Sequence, residues 1–199
     1  MRTPDPDATL HGMFSVRIHG RGGQGVVTAA ELLSLAAFLE GRHAQAFPSF
    51  GSERTGAPVV AFCRIDDREI RLREPISAPD ALIVQDPTLL HQVDVFGGLA
   101  PHGSVLLNTS LSAADLGVEE VAGGRVVTVP ASELAREHLG RPLPGPALLG
   151  GFAALTGVVS LDSVLAAVNE RFAGATAAGN AAAAKAAYEL VGREEPVDA

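Results

Sequence analysis

Residues Arg17-Ile-His-Gly-Arg-Gly-Gly-Gln-Gly25 decide the fold. A short apolar strand, Val16–His19, runs into a glycine loop, and a helix is expected over Val26–Leu39. Leu32, Leu33, Leu35, Ala36 and Leu39 give that helix an apolar stripe near the 3.6-residue period. Gly20, Gly22 and Gly25 fit the G-x-G-x-x-G spacing. In that pattern Gly20 permits a tight turn, Gly22 lets backbone N–H groups approach an anion, and Gly25 lets helix and strand pack closely. The helix N-terminus adds partial positive charge. Gly20, Gly22, Gly23, Gln24 and Gly25 are therefore the candidate cofactor-binding residues, and Gln24 suits an uncharged hydrogen-bonding role.

Outward from the loop, the alternation continues. Gly41 stops the first helix, His43–Phe47 is a short strand, and 48–57 is a loop. Pro58–Ile65 is an apolar, β-branched run. Asp66-Asp67 reads as a hairpin turn into an antiparallel strand, Glu69–Leu72. Ala81–Val84, Ser104–Leu107 and Val126–Val129 read as further strands. A short helix is expected from Asp86-Pro87, a turn and cap, to about Val95, and another over Ser132–Leu139. Arg141–Pro146 is a stiff linker before helices near 147–156, 161–173 and 176–191. The last is so alanine-rich that it should pack close to a neighbour. This order implies an α/β, Rossmann-like fold: a mixed, mostly parallel sheet with helices on both faces and a C-terminal helical segment. Residues 1–12 read as a flexible leader, 13–192 as a single domain with its helical subregion from about 147, and 193–199 as a tail.

Composition narrows the function. The chain has 199 residues, is 47% hydrophobic and carries a net charge of −8. That charge argues against a nucleic-acid backbone as partner. Lys185 is the only lysine and has no candidate catalytic partner. Cys63 is the only cysteine, so it can neither form an internal disulfide nor hold an iron–sulfur cluster alone. It reads as an inert core thiol, and a reducing, cytoplasmic location is the default. No stretch reaches the ~18 apolar residues of a membrane span. The histidines at 11, 19, 43, 91, 102 and 138 are scattered, and only His19, beside the glycines, invites attention. For a nicotinamide dinucleotide, an acid should follow the second strand, about 20 residues past the glycines. Glu40 has the distance but ends the helix instead, and Phe47-Pro48 brings no acid.

The second informative segment is Phe47-Pro-Ser-Phe-Gly-Ser-Glu-Arg-Thr-Gly-Ala-Pro-Val59. With Gly20–Gly25, Arg64-Ile-Asp-Asp67, Pro79–Pro87, Gly103–Asn108, Leu149-Gly150 and Asn180, it resembles the gamma subunit of pyruvate:ferredoxin oxidoreductase and related 2-oxoacid:acceptor oxidoreductases. The likeness spans about Phe14 to Tyr188. It departs at 142–148, where Pro-Gly-Pro-Ala-Leu stands in place of a polar, Asn-containing stretch.

The resemblance implies a complex that oxidatively decarboxylates a 2-oxoacid to an acyl-CoA and passes electrons to ferredoxin or a similar acceptor. The substrate would be pyruvate or a relative, including an aromatic one such as phenylglyoxylate. Thiamine diphosphate, Mg and 4Fe–4S clusters would lie in partner subunits of alpha, beta and delta type. This chain would be a structural, coenzyme A-proximal subunit with no catalytic residue or metal of its own. Phe50, Gly51, Glu53, Arg54 and Gly56 would form a partner-facing or CoA-proximal loop. Arginine's planar fork suits carboxylate or phosphate recognition across a subunit boundary. Two alternatives stand beside this reading: a stand-alone NAD(P)-binding Rossmann dehydrogenase, and a scaffold subunit that binds no small molecule.

Overall fold

The computed structural model describes residues 12–49, 55–119, 121 and 124–193. Six strands form one sheet: β1 (Phe14–Arg21), β2 (His43–Pro48), β3 (Pro58–Asp66), β4 (Ala81–Val84), β5 (Ser104–Asn108) and β6 (Arg125–Val129). Five α-helices accompany them: α1 (Val26–Leu39), α2 (Ala131–Leu139), α3 (Gly145–Thr156), α4 (Leu161–Arg171) and α5 (Gly174–Arg193). A short 3₁₀ helix covers Pro87–His91.

The strand order is β2-β3-β1-β4-β5-β6. β1, β4, β5 and β6 run parallel, and β3 is antiparallel to both of its neighbours. The sheet is mixed, as expected, but a different strand makes it so. No strand forms over Glu69–Leu72. β3 is already paired with β1 on one side and β2 on the other, so it has no free edge for a hairpin partner. The helix expected to reach Val95 is also shorter, ending at His91. The Arg141–Pro146 linker gives way earlier than expected: α3 starts at Gly145, with Pro146 in its first turn, where a missing N–H costs no intrahelical bond.

Both faces of the sheet are covered, but unequally. Val16, Ile18, Cys63, Ile83, Leu106 and Val129 point to a core shared with Leu33 of α1 and Leu148 and Phe152 of α3. α4 and α5 complete this layer, and α2 rests on α3 and α5. The opposite face carries Leu82, Val84, Val105 and Leu107, packed under Leu90, Phe96, Leu116 and Val118 from the 3₁₀ helix and loops. Further along that face the β1 alternation places Ser15, Arg17 and His19, all buried. Loop carbonyls meet the Arg17 guanidinium there: Nη2 donates to Val95 at 2.9 Å and Gly97 at 2.7 Å. Irregular backbone thus supplies acceptors that a helix, with its carbonyls already engaged, does not offer.

The alanine-rich α5 packs as closely as its composition suggests. A Cβ on Gly150 of α3 would sit only 2.0 Å from the Ala184 carbonyl oxygen. A Cβ on Gly179 would approach the His138 carbonyl of α2 to 2.6 Å.

Candidate functional site

From β1 the chain turns to β2 and β3 on one side, and later to β4 on the other. The crevice beyond the carboxyl ends of β1 and β4 is therefore the topological switch point, where open α/β sheets bind ligands. The glycine loop stands at one lip, and Gln85 and Asp86 at the other.

The glycines divide their labour differently from the motif's usual reading. Gly20 makes the close approach: a Cβ there would lie 2.6 Å from Val26 Cγ2 and 3.2 Å from Gln85 Cβ. Gly25 has open space around it but a φ of +76°, which favours glycine at the N-cap of α1. Gly23, at φ +92°, is in the same region. The Gly22 N–H does not face an anion; it donates to the Ala57 carbonyl at 2.9 Å. Gly56 returns the bond, its N–H reaching the Gly22 carbonyl at 3.0 Å. The two motif segments are thus stitched together, and Gly56, at φ +81°, turns the chain there. Phe50, Gly51, Glu53 and Arg54 lie outside the described residues.

Gln24 also has a defined task. Its Oε1 accepts the Arg21 N–H at 2.8 Å, and its Nε2 donates to Asp86 at 2.9 Å. That commits the acceptor and one donor of its amide to shaping the loop. Arg21 is the hub that motif reading missed. Its Nε donates to Asp86 at 3.0 Å, Nη1 to the Gly56 carbonyl at 3.1 Å, and Nη2 to Thr88 and Gln92 at 2.7 and 3.0 Å. Asp86 caps the 3₁₀ helix, as its Asp-Pro context suggested, by accepting the Thr88 N–H at 3.0 Å. Burial pushes the Asp86 carboxyl upward, but Thr88, Gln24 and Arg21 together hold it below the ordinary carboxylate range.

α1 has no side-chain N-cap, so its first-turn N–H groups have no capping partner. They border a cavity of about 460 Å³ lined by Arg21, Gly22, Gly23, Gly25, Thr28 and Thr55, among others. Uncapped amides, a helix dipole and an arginine make this an anion-favouring surface. Next to it, Gln85 is 1% exposed and both polar atoms of its side chain lack partners. Asn108 donates to the Gln85 carbonyl at 2.7 Å and accepts the Ser132 N–H at 3.0 Å, tying β5 to the start of α2. Sequence reading passed over Gln85, Asn108 and Ser132. The only local signal was a polar residue ending each apolar strand.

The residues considered for other chemistry find structural roles. Glu40 accepts the Ser160 N–H at 2.7 Å, joining the end of α1 to the start of α4. His19 is 5% exposed, and its Nε2 accepts from Arg17 Nε at 2.9 Å. Burial, then the Arg17 charge, pushes its pKa down to about 4, so it is neutral near pH 7. Cys63 is buried, and desolvation pushes its thiol up to about 12. Among the described residues no cluster of His, Cys, Asp or Glu has metal-holding geometry, and no helix is long and apolar enough to cross a membrane.

The family model for pyruvate ferredoxin/flavodoxin oxidoreductase matches residues 15–190. The chain belongs to this family, as a gamma-type subunit. It is 48% identical over 177 residues to the pyruvate synthase subunit PorC of Methanothermobacter marburgensis, covering 89% of this chain and 97% of that one. It is also 48% identical over 178 residues to the common gamma subunit of pyruvate/ketoisovalerate oxidoreductases of Thermococcus kodakarensis, covering 88% of this chain and 96% of the relative. Among solved structures, the pyruvate oxidoreductase subunit PORC of Thermotoga maritima superposes with a TM-score of 0.78 at 33% identity, covering 89% of this chain and 96% of that one. The 2-oxoglutarate:ferredoxin oxidoreductase of Magnetococcus marinus shares the fold at 16% identity and TM-score 0.69, over 92% of this chain and 32% of that one. In this pyruvate ferredoxin/flavodoxin oxidoreductase gamma chain, the stitched pair of loops is the structural form of the two segments that carried the resemblance.

Proposed function

We propose that this chain is the coenzyme A-proximal gamma subunit of a cytoplasmic complex that oxidatively decarboxylates pyruvate or a related 2-oxoacid to an acyl-CoA. Residues 13–192 form its single gamma-type domain. Partner subunits of alpha, beta and delta type carry thiamine diphosphate, Mg and the 4Fe–4S clusters, and deliver electrons to ferredoxin or a similar acceptor. The chain's own residues fit that division: its one cysteine is buried with its thiol pushed up, unsuited to cluster ligation.

The observation that carries the reading is the anion-favouring cavity at the uncapped start of α1, bounded on one side by Thr55 and Val59. A diphosphate suits those free N–H groups and Arg21. The scaffold alternative draws on one observation too: the Gly22 N–H is already engaged by Ala57. A dinucleotide dehydrogenase is disfavoured, because Glu40 is held by Ser160 and β2 ends in Pro48.

Amide hydrogen exchange on the purified complex, with and without coenzyme A, tests this. We expect coenzyme A to slow exchange at residues 23–28, while Gly22, bonded within the chain, changes little. Unchanged exchange at 23–28 with saturating coenzyme A would leave the loop a scaffold.

A further inference from the structure

We propose that the stretch 67–73, just past β3, pairs antiparallel with the same stretch of a second copy of this chain, about a two-fold axis at Ile70. The stretch has the alternation of a strand but no strand partner in its own chain. Residues 69–73 contain no helix, turn or bend. Among the described residues, none of their main-chain groups has a main-chain hydrogen-bond partner. Leu72, among them, is 48% exposed. Yet both ends are tied down. At the start, Arg42 Nε donates to Asp67 at 3.0 Å, and Asp66 accepts the Arg68 N–H at 3.0 Å. Past the end, Arg64 Nη2 donates to the Glu74 carbonyl at 2.6 Å, and Arg17 Nη1 reaches the carbonyl of buried Ile76 at 3.5 Å. Arg64 is 5% exposed, and its Nε and Nη1 have no hydrogen-bond partner. A buried guanidinium is costly to hold in that way. What it steadies is a rail of unmet amides, which a strand supplied from outside would satisfy.

The side chains select the strand. In Asp67-Arg-Glu-Ile-Arg-Leu-Arg73, with Ile70 on the axis, Asp67 faces the second copy's Arg73 and Glu69 faces its Arg71. Ile70 then faces Ile70, and Leu72 lies along the aliphatic stem of Arg68. Every neighbouring register sets like charges opposite each other: Arg68 against Arg71 or Arg73, Arg71 against itself, or Glu69 against itself or Glu74. Charge thus leaves one register. The stretch carries three arginines and two acids in a chain of net charge −8, so two acidic copies meet where each is locally basic. Within one chain Arg71 pairs with Glu69 at 3.0 Å, but both are exposed, so exchanging that pair for one between copies costs little. Pairing about a two-fold axis closes on itself and makes dimers, not fibres.

The test is the oligomeric state of the full chain, followed by sedimentation up to about 1 mM because a pair this small is weaker than a standard interface. Arg71→Glu sets glutamates opposite each other, and Glu69→Arg sets arginines opposite each other. We expect either variant alone to weaken the dimer about tenfold or more. An equimolar mixture of the two should restore it, because one presents acids where the other presents arginines. Inside each variant the two positions carry like charges, so no bond within one chain can mimic that rescue. Melting temperatures should stay unchanged, since both positions are exposed. In the purified complex, oxidised Ile70→Cys should link two copies of this chain. Residues facing each other across a strand pair lie within disulfide reach, and the native Cys63 is buried. A wild-type chain that stays monomeric, or a mixture no more associated than its parts, overturns the proposal. Loss of both variants from the complex without any self-association overturns it too, and gives the stretch to a strand of another subunit.

Discussion

His19 shows how little a residue's neighbours in sequence reveal about its environment. The strand around it is legible from Val16 and Ile18, but its environment depends on Arg17, whose carbonyl acceptors lie 59 to 80 residues away. Long-range carbonyls of that kind leave no local pattern. The consequence is testable by pH. A histidine whose folded pKa is about 4, against 6.5, destabilises the fold when protonated. Its contribution is complete above pH 6.5 and is lost as pH falls toward 4. Denaturant titrations of wild type and His19→Gln should diverge in slope across that window, by at most about 3 kcal/mol. Parallel curves would mean that His19 does not titrate differently on unfolding. Asp86 loses its own contribution at lower pH, below the ordinary carboxylate value, because its folded pKa is depressed. The same reasoning gives Arg21 its weight. Arg21→Met removes the bond to Asp86 and the clamp on Gly56, and should cost about 2 kcal/mol of stability. Faster amide exchange at Gly22 and Gly56 is the accompanying sign, and unchanged exchange there would deny Arg21 its hub role.

At the scale of elements, most strands and helices were legible, since apolar runs and glycine stops bound them closely. The strand expected at the Asp66-Asp67 turn failed for a topological reason. Glu69–Leu72 has the alternation of a strand, but strand formation needs a free edge, and β2 and β1 occupy both sides of β3. Edge availability belongs to topology, not to a local window. The site divides likewise: Gly20, Gly23 and Gly25 were evident, whereas Gln85, Asn108 and Ser132 carry no spacing signature. The alanine-rich α5 was read correctly as a close packer, and Gly150 is where that closeness is tightest. Gly150→Ala would force its Cβ against the Ala184 carbonyl, and backbone cannot swing aside as a side chain can. The expected loss is roughly 1–3 kcal/mol or more. Gly192→Ala, with open space around it, should be neutral or stabilising. Equal melting temperatures for the two variants would show that α3 and α5 separate easily.

At the scale of the whole molecule, the question is how a small subunit joins a larger body. Glu53 and Arg54 sit outside the described residues, but their loop carries adjacent charges between Phe47 and the Gly56 turn. We expect Arg54→Ala to speed dissociation of this chain from its complex while leaving its own melting unchanged. A desolvated charge at an interface predicts a loss of roughly 2–5 kcal/mol in association. A solvated one predicts less than about 1 kcal/mol, and an unchanged off-rate would place Arg54 on open surface. The outer strands bear on the same question. β2 and β6 have six and five residues, β2 terminates in Pro48, and Pro130 follows β6 directly. Neither proline has an N–H to offer. Strand-by-strand templating, the route by which sheet proteins polymerise into fibres, therefore meets a short and interrupted rail at each margin. We expect the chain on its own to resist seeding of fibres through either margin, which a thioflavin assay on the concentrated subunit would check.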